Sequence, residues 1–130
     1  EKEDRCGRGE MVRQDLLPAY FSGQQEAGAA MAHYVAQMAK ETPQADFAAQ
    51  TQLAIGRPDY LARTAGIRAP ALVLNGSGDR ATPPDRGREL AESLANGECR
   101  DIGGAGHFAL LEHPKKCARA IADWTKRESL

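Results

Sequence analysis

Asp79 and His107 are the two residues whose types and settings could do chemistry together. Asp79 follows Asn75-Gly76-Ser77-Gly78, and His107 follows Gly103-Gly104-Ala105-Gly106. A carboxylate bonded to one imidazole nitrogen fixes the tautomer and leaves the other nitrogen as a general base. Glycines before the histidine would let the backbone turn tightly beside such a site. Plainer roles exist for both. Asp79 could be the side chain of an Asx-turn, and His107 a loop histidine bonded to a carbonyl. Other groupings carry less. Gly103–Gly106 lacks the Lys-Ser/Thr of a phosphate loop and the G-x-G-x-x-G spacing. His107, Glu112 and His113 do not form H-E-x-x-H, so no metal site is expected. His33 reads as an ordinary helix residue, and Lys115-Lys116 and Lys126-Arg127 as charges on helix faces.

For the pair to meet, the elements before each residue must be neighbours. Ala71-Leu72-Val73-Leu74 is a short apolar run after Pro70 and reads as a fully buried parallel strand. Cys99–Ile102 reads as a second strand. Thr82 as N-cap and Pro83 at the first helical position would open a helix between them, burying Leu90, Ala91 and Leu94. Asn96-Gly97 would end that helix in a left-handed cap. Pro114 opens a final helix with Cys117, Ile121 and Trp124 on one face. This strand–helix–strand–helix order implies a parallel sheet, with ligands at the C-terminal strand ends. Adjacent strand ends lie about 5 Å apart, within reach of loop side chains.

The front of the chain is different. Residues 1–10 read as a loose tail and residues 11–66 as a helical segment. Helices are expected at Val12–Leu17, interrupted by Pro18, and at Gln24–Lys40, with Ala27, Met31, Tyr34, Val35 and Met38 as its apolar stripe. A third is expected from Pro43, capped by Thr42, to Ile55, with Phe47, Gln50 or Thr51, and Ala54 along one side. A short helical turn would follow at Tyr60–Thr64. Residues 67–130 hold the strand–helix part. Two parallel strands do not make a stable sheet alone, and the first residue is Glu rather than Met. The sequence therefore reads as the tail of a larger α/β domain.

Composition excludes several function classes. The chain has 130 residues, 17 Lys+Arg against 18 Asp+Glu, and a formal charge of −1. Nucleic-acid and anionic-membrane binders need a basic excess that is missing here. Aromatics are 5% of residues, too few for base-stacking platforms. No apolar run approaches the ~18 residues of a membrane helix. Residues 1–13 lack the apolar centre of a secretory signal. Cys6, Cys99 and Cys117 are widely spaced without C-x-x-C, so neither a disulfide framework nor a zinc site is expected. Reduced thiols point to a cytoplasmic setting.

The run Arg68-Ala-Pro-Ala-Leu-Val-Leu-Asn-Gly-Ser-Gly-Asp79, then Thr82-Pro83-Pro84, Gly104-Ala-Gly-His107 and Glu112-His-Pro114, resembles the C-terminal half of an α/β-hydrolase fold protein. Ala54-Ile-Gly-Arg-Pro-Asp59 resembles the stretch leading from that family's helical cap back to the sheet. The likeness runs from about Thr51 to Trp124 and, more weakly, through residues 11–50. It implies the C-terminal part of an α/β-hydrolase-like parallel sheet with helical cap elements in front. It places Asp79 where the family carries its triad acid and His107 where it carries its triad base. Glu112 and Pro114 fall at structural positions before the last helix.

The family's activities include esterases, lactonases, dehalogenases and cofactor-free haloperoxidases, none needing a metal or organic cofactor. A small ester-like substrate is thereby implied. The family's nucleophile sits on an upstream G-x-S-x-G elbow. Ser22, Ser77, Ser93 and Ser129 all lack that setting, and Cys99 lies in or before a strand. The chain is therefore expected to hold acid and base without a nucleophile. The missing N-terminal half, or a second copy, would cover the sheet. The alternative is a catalytically inactive, hydrolase-like interaction or structural module.

Overall fold

A computed structural model describes residues 7, 10–21 and 26–129 of the chain. Cys6, Ser22 and most of the expected tail lie outside them, as does the side chain of Ala27. Glu10 is already helical, and its carboxylate accepts a hydrogen bond from the Gln14 side chain.

The helical front is built around Pro18. A π-helical turn at Val12–Leu16 runs directly into α1 at Leu17–Tyr20. Pro18 was expected to interrupt the helix. The chain instead stays helical through it as far as Tyr20. The Leu17 N–H reaches back to Val12 O, five residues away, so the chain widens by one residue just before the proline.

Helix α2 spans Glu26–Glu41 and α3 spans Gln44–Ile55. The inward side of α2 keeps Met31 and Val35 of the expected stripe but not Tyr34 and Met38. Met31, Ala32, Val35, Ala36 and Ala39 pack on Val12, Leu17 and Phe21, whereas Tyr34 and Met38 are exposed. Small alanines, not the largest apolar residues, allow the close approach. Thr42 does not cap α3, because its hydroxyl donates back to Met38 O within α2. Pro43 is the cap residue instead, in extended geometry, and Gly56 ends the helix. None of the residues of α3 is buried, and Phe47 alone on its expected inner side is half-buried. The helical turn after it is a 3₁₀ segment at Leu61–Gly66. Buried Thr64 ties this segment to the next helix, donating to Ser93 Oγ at 2.6 Å.

Strand β1 (Ala71–Gly76) pairs in parallel with β2 (Gly97–Ile102), register Ala71 to Gly97 and Gly76 to Ile102. A parallel pair needs a crossover, which α4 (Pro84–Ser93) supplies. Its cap residue is Pro83 and its first position Pro84, one residue later than Thr82 and Pro83 were read. The shift has a cause: a residue before proline is disfavoured in helical geometry, and Pro83, which precedes Pro84, is extended at ψ 148°. Helix α4 buries Gly87 and Ala91, while Leu90 is exposed and Leu94 half-buried. It ends with Leu94 in extended geometry, not in a left-handed cap at Asn96-Gly97.

After β2 come a short α5 (Ala109–Glu112), absent from the sequence reading, and α6 (Pro114–Glu128). Neighbouring residues on a strand face opposite sides. Asn75 meets Cys99 and Asp101 on the α4 side. Leu74 packs with Ile102, Ala105, Ala109, Cys117 and Ala120 on the α6 side. Ile121 is exposed and Trp124 half-buried, so Cys117 and Ala120 carry that contact.

β1 is half-buried along most of its length rather than fully buried. Among the described residues it pairs with β2 alone, so its other edge has no strand partner. No described helix is long and apolar enough to cross a membrane.

Candidate active site

Both strands end at the same level, since Gly76 is in register with Ile102. The loops that leave them are then tied together. Ser77 N–H donates to Ile102 O at 3.1 Å, and Gly78 N–H to Ala105 O at 2.8 Å. Ser77 Oγ accepts from Gly104 N–H at 2.9 Å. The approach is close enough to demand glycine. A Cβ on Gly76 would lie 2.0 Å from the Gly106 carbonyl oxygen. Gly104, at φ +80°, lets the second loop turn back.

This brings Asp79 and His107 together. His107 Nδ1 lies 2.9 Å from Asp79 Oδ2. The other carboxylate oxygen, Oδ1, accepts from the backbone N–H groups of Ala81 and Thr82, each at 2.9 Å. Asp79 is therefore an Asx-type loop anchor and the partner of the imidazole at once. Its side chain is buried, at 8% exposure, while that of His107 is 35% exposed. The acid is shielded and the histidine stays accessible. With Nδ1 committed to Asp79, Nε2 is the nitrogen that can take up a proton.

The histidine loop has supports that the sequence reading did not find. Buried Glu112 accepts from Gly106 N–H at 2.8 Å, fixing the residue before His107. The Tyr20 ring stacks on the imidazole, with centroids 5.0 Å apart and planes 21° off parallel. The Tyr20 carbonyl accepts from His107 N–H at 2.6 Å. Phe108 packs edge-on against Tyr20 and tilted against Phe21. Glu112 was visible as a position near the last helix; its carboxylate six residues after Gly106 gave no sign of reaching back. Nothing in the local pattern links Tyr20 to a residue 87 positions away.

An apolar cavity of about 350 Å³ opens beside the histidine, lined by Leu74, His107, Phe108, Ala109, Leu110 and Leu111. The described serines all have structural bonds or positions. Ser77 holds Gly104, Ser93 Oγ donates to Leu90 O, and Ser129 caps α6. None of them bonds to His107 among the described residues. Cys99 lies within β2 with its thiol pushed up from the ordinary value, by burial first and then by the Asp101 charge. That is the setting of an inert thiol rather than a nucleophile. Among the described residues, no three His, Cys, Asp or Glu side chains gather as metal ligands would.

Known proteins share this arrangement of elements. Residues 8–114 match the family model described as the alpha/beta hydrolase fold. A 2-hydroxy-6-oxononadienedioate/2-hydroxy-6-oxononatrienedioate hydrolase of Burkholderia vietnamiensis is 37% identical over 70 residues, 54% of this chain and 24% of that protein. A thermophilic esterase from Thermogutta terrifontis superposes with a TM-score of 0.73 at 24% identity, over 97% of this chain and 50% of that one. A bacterial membrane phospholipase A superposes at TM-score 0.72 and 21% identity, over 96% of this chain and 42% of that one. The matches span about a quarter of the curated relative and about half of the solved structures. The loops at the ends of β1 and β2, the helical front and the matched family model lead to one conclusion: this chain belongs to the α/β-hydrolase fold family.

Proposed function

We propose that this chain supplies the acid and base of a hydrolase acting on an ester, lactone or similar bond of a small molecule. One observation carries the reading: the 2.9 Å contact between His107 Nδ1 and an Asp79 carboxylate whose second oxygen is held by two backbone amides. In the proposed reaction, His107 Nε2 takes the proton of the attacking hydroxyl and gives it to the leaving group. It then activates the water that releases the acyl group. Asp79 keeps the imidazole in the right tautomer and stabilises its cation. The attacking group comes from outside these residues, because no serine here stands on a G-x-S-x-G elbow. The hydrolase and esterase names of its relatives support this class of chemistry. The free thiols Cys99 and Cys117 support a cytoplasmic setting.

The test is turnover of a p-nitrophenyl ester. The 130-residue chain should show none above buffer. The same chain extended upstream to include a strand and a G-x-S-x-G elbow should turn the ester over, and His107→Ala should abolish it. Turnover by the extended chain that survives His107→Ala would refute the proposal.

A second reading, a hydrolase-like interaction module, is favoured by α3, which buries no residue, and by the edge of β1 that has no strand partner among the described residues. Under it, the partner covering the sheet is a separate N-terminal half or a second copy, and the extended chain stays inactive.

A further inference from the structure

Three consecutive carbonyls of α1 are taken by the two loops that carry Asp79 and His107. The Arg80 guanidinium donates to Pro18 O, Arg80 N–H donates to Ala19 O at 3.3 Å, and His107 N–H donates to Tyr20 O at 2.6 Å. The last carbonyls of a helix have no partner within it, and here they are satisfied across the site. The cation also sits at the negative end of the helix. Residues far apart in sequence thus form a strap over the acid–base pair, and Phe21 anchors it in the apolar cluster that includes Phe108.

We propose that Tyr20 is a positioning residue for His107. The proposal rests on the reading of His107 as the base. A single hydrogen bond at Nδ1 fixes the direction of the imidazole in its own plane, yet leaves the ring free to rock about the Nδ1–Oδ2 line. A second ring lying nearly parallel at 5.0 Å removes that freedom. Phe108 supports the arrangement from the other ring edges, 5.5 Å from both Tyr20 and His107. Nε2 is then held in one direction before any substrate arrives, which is what a general base needs for proton transfer. The phenol oxygen is not required; the ring plane is.

The experiment is imidazole proton–nitrogen correlation spectroscopy on the 130-residue chain labelled at histidine. The wild-type chain should show through-space contacts between the Tyr20 and His107 ring protons, with the His107 protons displaced upfield by the ring above them. Tyr20→Phe should keep both signatures. Tyr20→Leu should lose the upfield displacement and exchange the Nδ1 proton with water several-fold faster, with circular dichroism unchanged. Wild-type spectra without Tyr20–His107 ring contacts would overturn the proposal, and need no variant to fold. So would a folded Tyr20→Leu chain with wild-type His107 signals. Asp79→Asn separates the two ideas. If it leaves the His107 tautomer unchanged, the acid–base reading fails, while the Tyr20 contacts are still read independently.

Discussion

Asp79 bonds His107 with one oxygen and two backbone amides with the other: Oδ2 lies 2.9 Å from Nδ1, and Oδ1 receives the Ala81 and Thr82 N–H groups. The two jobs fall on different atoms, so they can be separated by substitution. An uncharged amide can replace one oxygen and leave the other.

Asp79→Asn should keep the loop and lose the chemistry. The asparagine carbonyl can still accept from Ala81 and Thr82, while its NH₂ faces Nδ1 and forces the proton onto Nε2. In an enzyme carrying its nucleophile, the wrong tautomer costs about 10⁴-fold in kcat. Asp79→Ala should in addition free both amides, seen as faster hydrogen exchange at residues 81 and 82. Equal exchange in the two variants would show that the loop does not depend on Oδ1.

Gly76→Ala should be strongly destabilising although it adds one methyl group. That methyl would sit 2.0 Å from Gly106 O and 2.6 Å from Ala105 O, both backbone atoms of the histidine loop. Overpacking of this kind costs about 1–3 kcal/mol, and more where backbone must move. A thermal melt should fall by several degrees or more, and the His107–Asp79 bond should loosen with it. Gly103→Ala is the control, because its Cβ would meet nothing within 4 Å.

The meeting of Asp79 and His107 was legible because its signals are local. Apolar runs, glycine loops and the residues after them lie within a few positions of each other, and parallel pairing of β1 with β2 does the rest. Helix starts near Pro43, Pro84 and Pro114 were legible to within one residue, whereas the stop expected at Pro18 was not found. The cap positions of α3 and α4 were misplaced because Thr42 bonds back into its own helix and Pro84 keeps Pro83 extended. The inward face of α2 was read correctly at Met31 and Val35 but not at Tyr34 and Met38, for a different reason. Periodicity weighs side-chain size, whereas the packed face is chosen by how closely two helices can approach, and Ala32, Ala36 and Ala39 win there. Tyr20 and Glu112 were not legible at all, since their roles exist only once distant loops meet.

Glu112→Ala should weaken the histidine loop without touching the imidazole. Buried Glu112 accepts from Gly106 N–H at 2.8 Å, and removing it leaves a buried donor without that partner. Such a loss costs about 1–3 kcal/mol. Glu112→Gln keeps an acceptor of the same shape and should recover most of it. Urea unfolding of the two variants compares them directly. Equal loss of stability in both would mean that the negative charge, rather than the acceptor, matters.

Glu98 makes a pH dependence predictable on the opposite face from α4. Its carboxylate accepts from Arg100 Nε at 2.7 Å and from Arg127 at 2.5 Å. These bonds, Arg100 first and Arg127 second, hold its pKa below the ordinary glutamate value of 4.5. A carboxyl whose folded pKa is lowered contributes stability that is fully present above its unfolded pKa. That contribution disappears as pH falls through the folded value. Glu98→Gln should therefore leave stability nearly unchanged well below pH 4 and lower it slightly near neutrality. The effect is small because the pair is solvent-screened, and added salt should shrink it further. Thermal melts across the acid range, with and without salt, check this. A wild-type minus variant difference that grows toward low pH would have the wrong sign and would refute the assignment.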